Sequence, residues 1–238
     1  IELKNHTSNW NGILLDSTLT PASFEYVLFQ GATFGTDSAK QNAALTGYFS
    51  DFEVSNCEFD NNLRSIYAWY GAVHLSETIF NESNYGEKVN LQFSDAITED
   101  CVFHYTYGDN DALDYDAVDN GKILNNVLWG GEDDGIDIGQ INGVSCNDVL
   151  IQGNRVFNYF DKDISVGEGS QNINIDHNLL VGAYYGVGVK DSSTAIIDHC
   201  TIDLNKYGVA CFQKNIGLGG GIAHVSNTII SNSTTSSL

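Results

Sequence analysis

The chain has 238 residues, of which 31 are acidic and 10 basic, giving a net charge of −21. A charge this negative argues against binding to nucleic acid or to anionic membranes. No apolar run reaches the roughly 18 residues that a membrane span requires. Because the sequence starts without a methionine or a signal peptide, we expect a processed or excised piece of a larger exported protein, extracellular or at the cell surface.

A short segment, in which polar residues precede apolar ones, recurs along the chain. It reads E-Y-V-L-F, S-N-C-E-F, S-E-T-I-F, E-D-C-V-F, N-N-V-L-W, G-N-R-V-F, H-N-L-L-V, D-H-C-T-I and S-N-T-I-I. Its last residues, 21 to 30 positions apart, are Phe29, Phe59, Phe80, Phe103, Trp129, Phe157, Val181, Ile202 and Ile230. Repeats of this length are typical of solenoid proteins, and we expect these side chains, Trp129 included, to form a core column.

A second segment, with apolar residues at alternate positions, follows within most repeats. It reads V-N-L-Q-F, A-L-D-Y-D, G-I-D-I-G, D-I-S-V-G, G-V-G-V-K and G-V-A-C-F. Strict alternation over four or five residues indicates a half-buried strand. Two or three short strands in each repeat predict an all-β parallel solenoid of about nine coils, which we expect to occupy residues 1–238 as one domain.

Small polar residues recur at the turn before the first segment's apolar residues. Asn56, Asn126, Asn154, Asn178 and Asn227 are expected to form a ladder of amide hydrogen bonds there. Cys57, Cys101 and Cys200 share one repeat position. Two coils separate Cys57 from Cys101 by roughly 9–10 Å, too far for a disulfide, so buried free thiols are predicted.

Aligning the second segments places charged residues in three outward columns. These are Asp111, Asp134, Lys162 and Tyr185; Asp114, Asp137, Ser165 and Gly188; and Asp116, Gly139, Gly167 and Lys190, with Asp109, Asp133, Asp163, Glu168 and Asp191 at the margins. Carboxylates on coils ~4.8 Å apart can share one Ca²⁺, and the glycines are expected to leave room for a bound chain. A solvated acidic face of a soluble solenoid is the structural alternative.

With these columns aligned, the chain resembles the right-handed parallel β-helix superfamily of pectate lyases and polygalacturonases over roughly residues 9 to 238. Asp133-Asp134-Gly135-Ile136-Asp137 is similar to the D-D-x-x-D calcium motif of family-nine pectate lyases, with Asp109 or Asp111 as the partner one turn earlier. The lysine base of that family aligns with Ser165, three residues after Lys162. The polygalacturonase motifs N-T-D, D-D and R-I-K align with Asn110-Asp111, Asp133-Asp134 and the stretch that ends at Lys190. The histidine of the polygalacturonase motif G-H-G and the arginine of R-I-K are absent from this chain.

Aromatic and imidazole side chains outside these columns supply further candidates. Trp69, Tyr107 and the in-column Tyr185 are suited to stacking on sugar rings. His104 with Tyr105 or Tyr107 is a candidate acid–base pair that resembles that of alginate lyases and mannuronan epimerases.

The most specific hypothesis is a calcium-dependent polysaccharide lyase that acts on a uronate-containing glycan. Lys162 is the predicted general base, and Lys190 is the second candidate for that role or a cation that binds the substrate. The predicted Ca²⁺ ligands are Asp109, Asp111, Asp133, Asp134 and Asp137. An inverting glycoside hydrolase using Asp111 and Asp134 is one alternative. A non-catalytic, Ca²⁺-stabilised surface or adhesion module, joined to further domains of the same chain, is another.

Overall fold

The computed structural model describes residues 2–4, 10–37, 40–82 and 86–238. Position 9, where the family resemblance begins, lies outside these residues. The described chain forms strands and turns without a helix, so no helix in it is long and apolar enough to cross a membrane.

Each coil contributes three strands, and equivalent strands of successive coils pair in parallel. The first sheet, which carries the acidic columns, contains Ile13–Asp16, Leu45–Tyr48, the first halves of Ile66–Ser76 and Val89–Glu99, Leu113–Asp116, Ile136–Ile141, Lys162–Val166, Tyr185–Lys190 and Tyr207–Phe212. The second contains Ala22–Glu25, Phe52–Ser55, the second halves of those two long strands, Lys122–Leu124, Leu150–Gln152, Ile173–Asp176, Thr194–Asp198 and Ile222–Ser226.

The third sheet carries the first repeat segment. It contains Glu2–Lys4, Leu28–Gln30, Glu58–Asp60, Ile79–Phe80, Val102–Phe103, Val127–Gly131, Arg155–Tyr159, Leu179–Val181, Thr201–Asp203 and Ile229–Ser231. The short strand Val144–Ser145 pairs antiparallel with the end of Ile136–Ile141. Nine strand triplets, related by eight coil-to-coil steps, confirm the predicted parallel β-helix of about nine coils. Parallel crossovers of this kind are right-handed in nearly all proteins, as the resemblance implies.

The corner between the first and second sheets is built from aromatic side chains. Phe49, Tyr70 and Phe93 adopt positive φ angles of 49°, 56° and 52° there. Their rings stack in one column, with centroids 4.9 and 4.7 Å apart. Left-handed backbone is unfavourable for bulky residues, and the stacking offsets that cost at each coil.

The core column under the third sheet corrects one sequence expectation. Phe29, Phe59, Phe80 and Phe103 stack as predicted, at 4.5, 5.2 and 4.6 Å. Phe103 then pairs with Leu128, and the column continues through Val156, Leu180, Ile202 and Ile230. Trp129 is 48 % exposed and stacks on Phe157 outside the core. The assignments of Trp129, Phe157 and Val181 to the core were wrong: these three pair with one another one residue after the core column, and a shift of one residue moves a side chain to the opposite face of a strand.

The amide ladder is present at the turn before this sheet, with three asparagines as its centre. Asn126 donates from its backbone and its Nδ2 to Asn154 Oδ1, at 2.8 and 3.0 Å. Asn154 makes the same pair of bonds to Asn178 Oδ1. Asn56 and Asn227 lie one residue earlier, with φ angles of 51° and 46°. Their ladder positions are taken by Cys57 and Thr228; Cys57, Cys101 and Cys200 are buried free thiols, as expected.

Candidate functional site

The strand register brings the three predicted columns together on the outer face of the first sheet. Leu113 pairs with Ile136, Ile136 with Ile164, and Lys162 with Tyr185. The residue two positions before each core side chain therefore falls in the first column, and the residue directly after it falls in the second. The column assignments made from alternation are thus correct in register.

Carboxylates from two neighbouring coils approach within bonding distance of a common ion. Asp111, Asp114 and Asp137 each place one oxygen within 4.8 Å of the others, and Asp111, Asp133 and Asp134 form a second such group. The carboxylate of Asp111 also accepts a hydrogen bond of 3.0 Å from the backbone N–H of Asp134. We call these five residues the acidic cluster. The predicted ligand Asp109 belongs to neither group and is exposed.

Burial and mutual repulsion raise the pKa values of these carboxyl groups. Withdrawal from water, followed by the charges of Asp137 and Asp134, raises the pKa of Asp111 well above its ordinary range. Burial and then Asp137 raise the pKa of Asp134 to about 7, although the ammonium of Lys162 opposes the rise. Burial and Asp137 likewise raise the pKa of the neighbouring Asp116 to about 7. The cluster therefore resists full ionisation at neutral pH unless positive charge is supplied.

Lys162 lies in the first column and is 2 % exposed. Its Nζ donates to both oxygens of Asp134, at 3.0 and 3.1 Å, and to the carboxylate of Asp161. Burial lowers the pKa of Lys162, but Asp134 and Asp161 together raise it above its ordinary value. The aliphatic stem crosses Gly188, where an added Cβ would lie 2.7 Å from Lys162 Cδ.

Lys190, in the third column, is 3 % exposed and crosses Gly167 in the same way. Its Nζ lies 3.9 Å from Asp137 Oδ1. The expectation that Gly167 and Gly188 leave an open floor for a bound chain is therefore wrong. These glycines make room for two buried lysine side chains, because a Cβ at either position would collide with the neighbouring stem.

Several buried oxygens at the cluster have no hydrogen-bond donor among the described residues. They include Asn90 Oδ1, Asp137 Oδ1 and Ser165 Oγ, and Asn90 uses its Nδ2 to donate to Asp114. Unsatisfied buried acceptors are costly. Ca²⁺ prefers carboxylate and amide oxygens as ligands, at 2.3–2.6 Å and in sets of six to eight. These residues therefore fit the predicted ion.

Aromatic side chains lie at both axial ends of the acidic columns. Trp69 continues the third column towards the N-terminus and packs edge-on to Phe93, with centroids 5.2 Å apart. At the other end, Tyr185 stacks on Tyr207 at 5.2 Å and on Phe212 at 5.3 Å. A cavity of about 440 Å³ adjoins the cluster and is lined by Asp109, Glu132, Asp133, Phe160, Asp161, Tyr184 and Tyr185.

His104 and Tyr107 do not join this face. His104 follows the third-sheet strand Val102–Phe103 and is exposed. The hydroxyl of Tyr107 donates to Glu82 Oε2 at 3.2 Å. The pairing of His104 with Tyr107 as an acid and a base thus has no support from their positions, because neither contacts the acidic cluster.

Sequence reasoning missed several residues of the site. Arg64 and Glu87 form an ion pair that continues the first column. Asn90 and Gln92 lie beside Asp114 and Asp116 in the register, and the alternation in V-N-L-Q-F would have placed them there. Asp163, expected at the outer margin, is wholly buried, and burial raises its pKa well above the ordinary range.

No protein-family model matches the sequence, and no curated protein matches it significantly. Among solved structures, the A-module of the Azotobacter vinelandii mannuronan C-5 epimerase AlgE6 is 14% identical, with 88% of this chain and 84% of that chain covered and a TM-score of 0.44. The catalytic domain of a GH87 α-1,3-glucanase, a variant in complex with nigerose, is 11% identical over 91% of this chain and 51% of that chain, at 0.48. A variant tailspike of E. coli bacteriophage HK620 in complex with a hexasaccharide is 13% identical over 90% and 47%, also at 0.48. The chain spans about half the length of the glucanase domain and of the tailspike.

Proposed function

We propose that this chain is a carbohydrate-active β-helix protein, specifically a calcium-dependent polysaccharide lyase that acts on a uronate-containing glycan. One observation carries the proposal: the carboxylates of the acidic cluster form two groups of three that share Asp111, each compact enough for one ion, and two buried lysines follow on the next two coils. Adjacent coils of one face would thus provide a cation site, a general base in Lys162 and a second positive charge in Lys190.

The net charge of −21 makes binding of an acidic polymer unfavourable unless positive charge is concentrated locally. Asp111, Asp114, Asp133, Asp134 and Asp137 would hold Ca²⁺, and Asp109 would add negative charge further out. A bound Ca²⁺ would neutralise the substrate carboxylate and so make the adjacent C5 proton more acidic.

Lys162 is the proposed general base that removes this proton, and Lys190 binds a neighbouring carboxylate of the polymer. Burial is the largest influence on the pKa of Lys162 and lowers it. Asp134 opposes burial, so neutralising that carboxylate would favour the neutral, basic amine. The burial of the stem over Gly188 also restricts the positions that Nζ can reach, as a positioned base requires.

The aromatic side chains at both ends of the face would bind neutral surfaces of the sugar rings. Trp69 and Tyr185 lie on coils on either side of the acidic cluster, and coils are ~4.8 Å apart. A polysaccharide laid along the solenoid axis would contact both rings and cross the cluster between them. The extracellular or cell-surface location remains a prediction.

Inverting hydrolysis by Asp111 and Asp134 is less well supported. Their carboxylate oxygens lie within 4.8 Å of each other, whereas inverting pairs are about 6.5–9.5 Å apart to admit a water molecule. A non-catalytic, Ca²⁺-stabilised glycan-binding module is the stronger second candidate. The ion pair of Lys162 with Asp134 and Asp161 favours it, because it keeps the lysine protonated.

The test is incubation with pectate, alginate, other uronates and neutral glycans, in Ca²⁺ or in chelator. A lyase yields unsaturated products that absorb ultraviolet light, and a hydrolase yields reducing ends without that absorbance. Glycan binding without any product would establish the non-catalytic module. Absence of both products and binding would overturn the carbohydrate assignment.

Lys162→Met tests the base. We expect turnover to fall by about 10²–10⁴-fold, the usual contribution of a general base, while Ca²⁺ binding persists. Lys214→Met, which removes the same charge from an exposed position, is the matched control. Full activity of Lys162→Met would contradict the assignment and move it to Lys190.

A further inference from the structure

Two successive coils carry the same pattern at a different corner of the coil, between the second and third sheets. The pattern is Ile175-Asp176-His177-Asn178 in one coil and Ile197-Asp198-His199-Cys200 in the next. Asp176 pairs with Asp198 in the strand register, so like residues stack on like. The rings of His177 and His199 lie 4.7 Å apart with an interplanar angle of 14°.

The imidazoles present the same nitrogen to carboxylate oxygens. Nδ1 of His177 lies 2.7 Å from Asp176 Oδ1. Nδ1 of His199 lies 3.6 Å from that oxygen and 2.9 Å from Asp198 Oδ2. One ligand atom from each of Asp176, His177 and His199 falls within 4.8 Å of the other two.

The second oxygen of each carboxylate is fixed by neighbouring coils. Gln152 Nε2 donates to Asp176 Oδ2 at 2.6 Å. Ser226 Oγ and Asn227 Nδ2 donate to Asp198 Oδ1, at 2.9 and 2.8 Å. Such hydrogen bonds orient metal-binding carboxylates and are a regular part of metal sites.

We propose that Asp176, His177 and His199 bind a divalent transition-metal ion of the zinc class, with Asp198 as a further carboxylate beside His199. Two imidazoles and a carboxylate suit Zn²⁺, Cu²⁺ or Ni²⁺, unlike the all-oxygen ligands of the acidic cluster. Tetrahedral bonds of 2.0–2.1 Å place ligand atoms about 3.3 Å apart, between the 2.7 and 3.6 Å observed. The two histidine side chains are 60% and 49% exposed, so an ion reaches them and the rings can turn towards it.

For the ion to bind at Nδ1, each neutral imidazole would carry its proton on Nε2 instead. A doubly protonated imidazole has no free nitrogen, so acid would compete with the ion. It would tie two coils together. Since the ion binds folded protein, thermal stability would rise with Zn²⁺ concentration. This site shares no residue with the acidic cluster, and the inference is independent of the proposed function.

The experiment is calorimetric titration of the tag-free chain with ZnCl₂ in saturating Ca²⁺, together with the visible spectrum of the Co²⁺ form. We expect one site per chain, with binding abolished in His177→Ala/His199→Ala. Gln152→Ala should weaken it by about 10–100-fold, as loss of an orienting hydrogen bond does. His224→Ala, at an exposed position on the neighbouring coil, should leave binding unchanged.

Circular dichroism and a cooperative urea-unfolding transition confirm that the double variant is folded. Two outcomes overturn the proposal: no Zn²⁺ binding by the parent chain, or equal binding by the folded double variant. In either case the paired aspartates and histidines serve as hydrogen-bond partners between coils.

Discussion

Replacing Asp134 by asparagine should change stability in opposite directions with and without calcium. Asp134 is 3 % exposed, and burial with repulsion from Asp137 raises its pKa from 3.8 to about 7. A rise of about three units, at 1.36 kcal/mol each, corresponds to about 4 kcal/mol lost when the folded protein must ionise this group. Asparagine has the same shape and cannot ionise, so this loss disappears.

The sign follows from proton binding. The pKa of Asp134 is higher in the folded protein than in the unfolded chain, so the folded state is favoured by the protonated form of Asp134. This contribution to the free energy of unfolding is fully present below pH 3.8 and is lost as pH rises through about 7. In chelator, Asp134→Asn should therefore match the parent near pH 3.5 and exceed it at pH 8. We expect a gain of about 1–4 kcal/mol, because the variant also loses the ion pair with Lys162.

Saturating Ca²⁺ should reverse this order. An ion at 1,000 times its Kd adds about 4 kcal/mol to the parent, and the variant, lacking one ligand, should gain much less. The assay is urea unfolding followed by circular dichroism and tryptophan fluorescence, with coincidence of the two transitions checked first. Asp95→Asn, at an exposed position, makes the same charge change and should stay within about 0.5 kcal/mol of the parent.

The reasoning is refuted if Asp134→Asn is less stable than the parent in chelator at pH 8. Equal stabilisation of parent and variant by Ca²⁺ would move the ion elsewhere.

Three further outcomes are expected. Gly188→Ala should displace the aliphatic stem of Lys162 and lower turnover about a hundredfold in the product assay. Gly220→Ala is the control and should leave turnover unchanged, because a Cβ added there would lie 3.9 Å from its nearest neighbouring atom. Asn154→Ala removes the acceptor of two Asn126 bonds and the donor to the Ile123 carbonyl, and should lower the free energy of unfolding by about 2–4 kcal/mol in urea. The exposed Asn174→Ala should lower it by less than about 0.5 kcal/mol, and equal losses would argue against the ladder. Chelation should lower the melting temperature more at pH 8 than at pH 5, because the carboxylates that repel one another ionise in between; an equal drop would contradict the shared ion.

The sequence by itself determined the coil and the outward columns. Alternation with a period of two fixes which side chains share a face of a strand, and recurrence at 21 to 30 residues fixes which strands are neighbours. These two patterns place Asp111, Asp134, Lys162 and Tyr185 in one column from the sequence alone. On this face the register follows from the same two patterns, because the core residues Leu113, Ile136 and Ile164 align from coil to coil.

Only the tertiary structure decided how these side chains meet. The phase of the core column at Trp129 depends on where the preceding turn ends, and an alignment on apolar residues was wrong there by one position. The ion pair of Lys162 with Asp134, and the exclusion of Asp109 from both carboxylate groups, depend on side-chain torsions that no strand pattern specifies. The sequence predicted open space above Gly188, because a missing Cβ does not reveal which neighbouring side chain occupies the position. Backbone periodicity is local and repeats, whereas the contacts of a long side chain are set by the rotamers and burial of its neighbours on other coils.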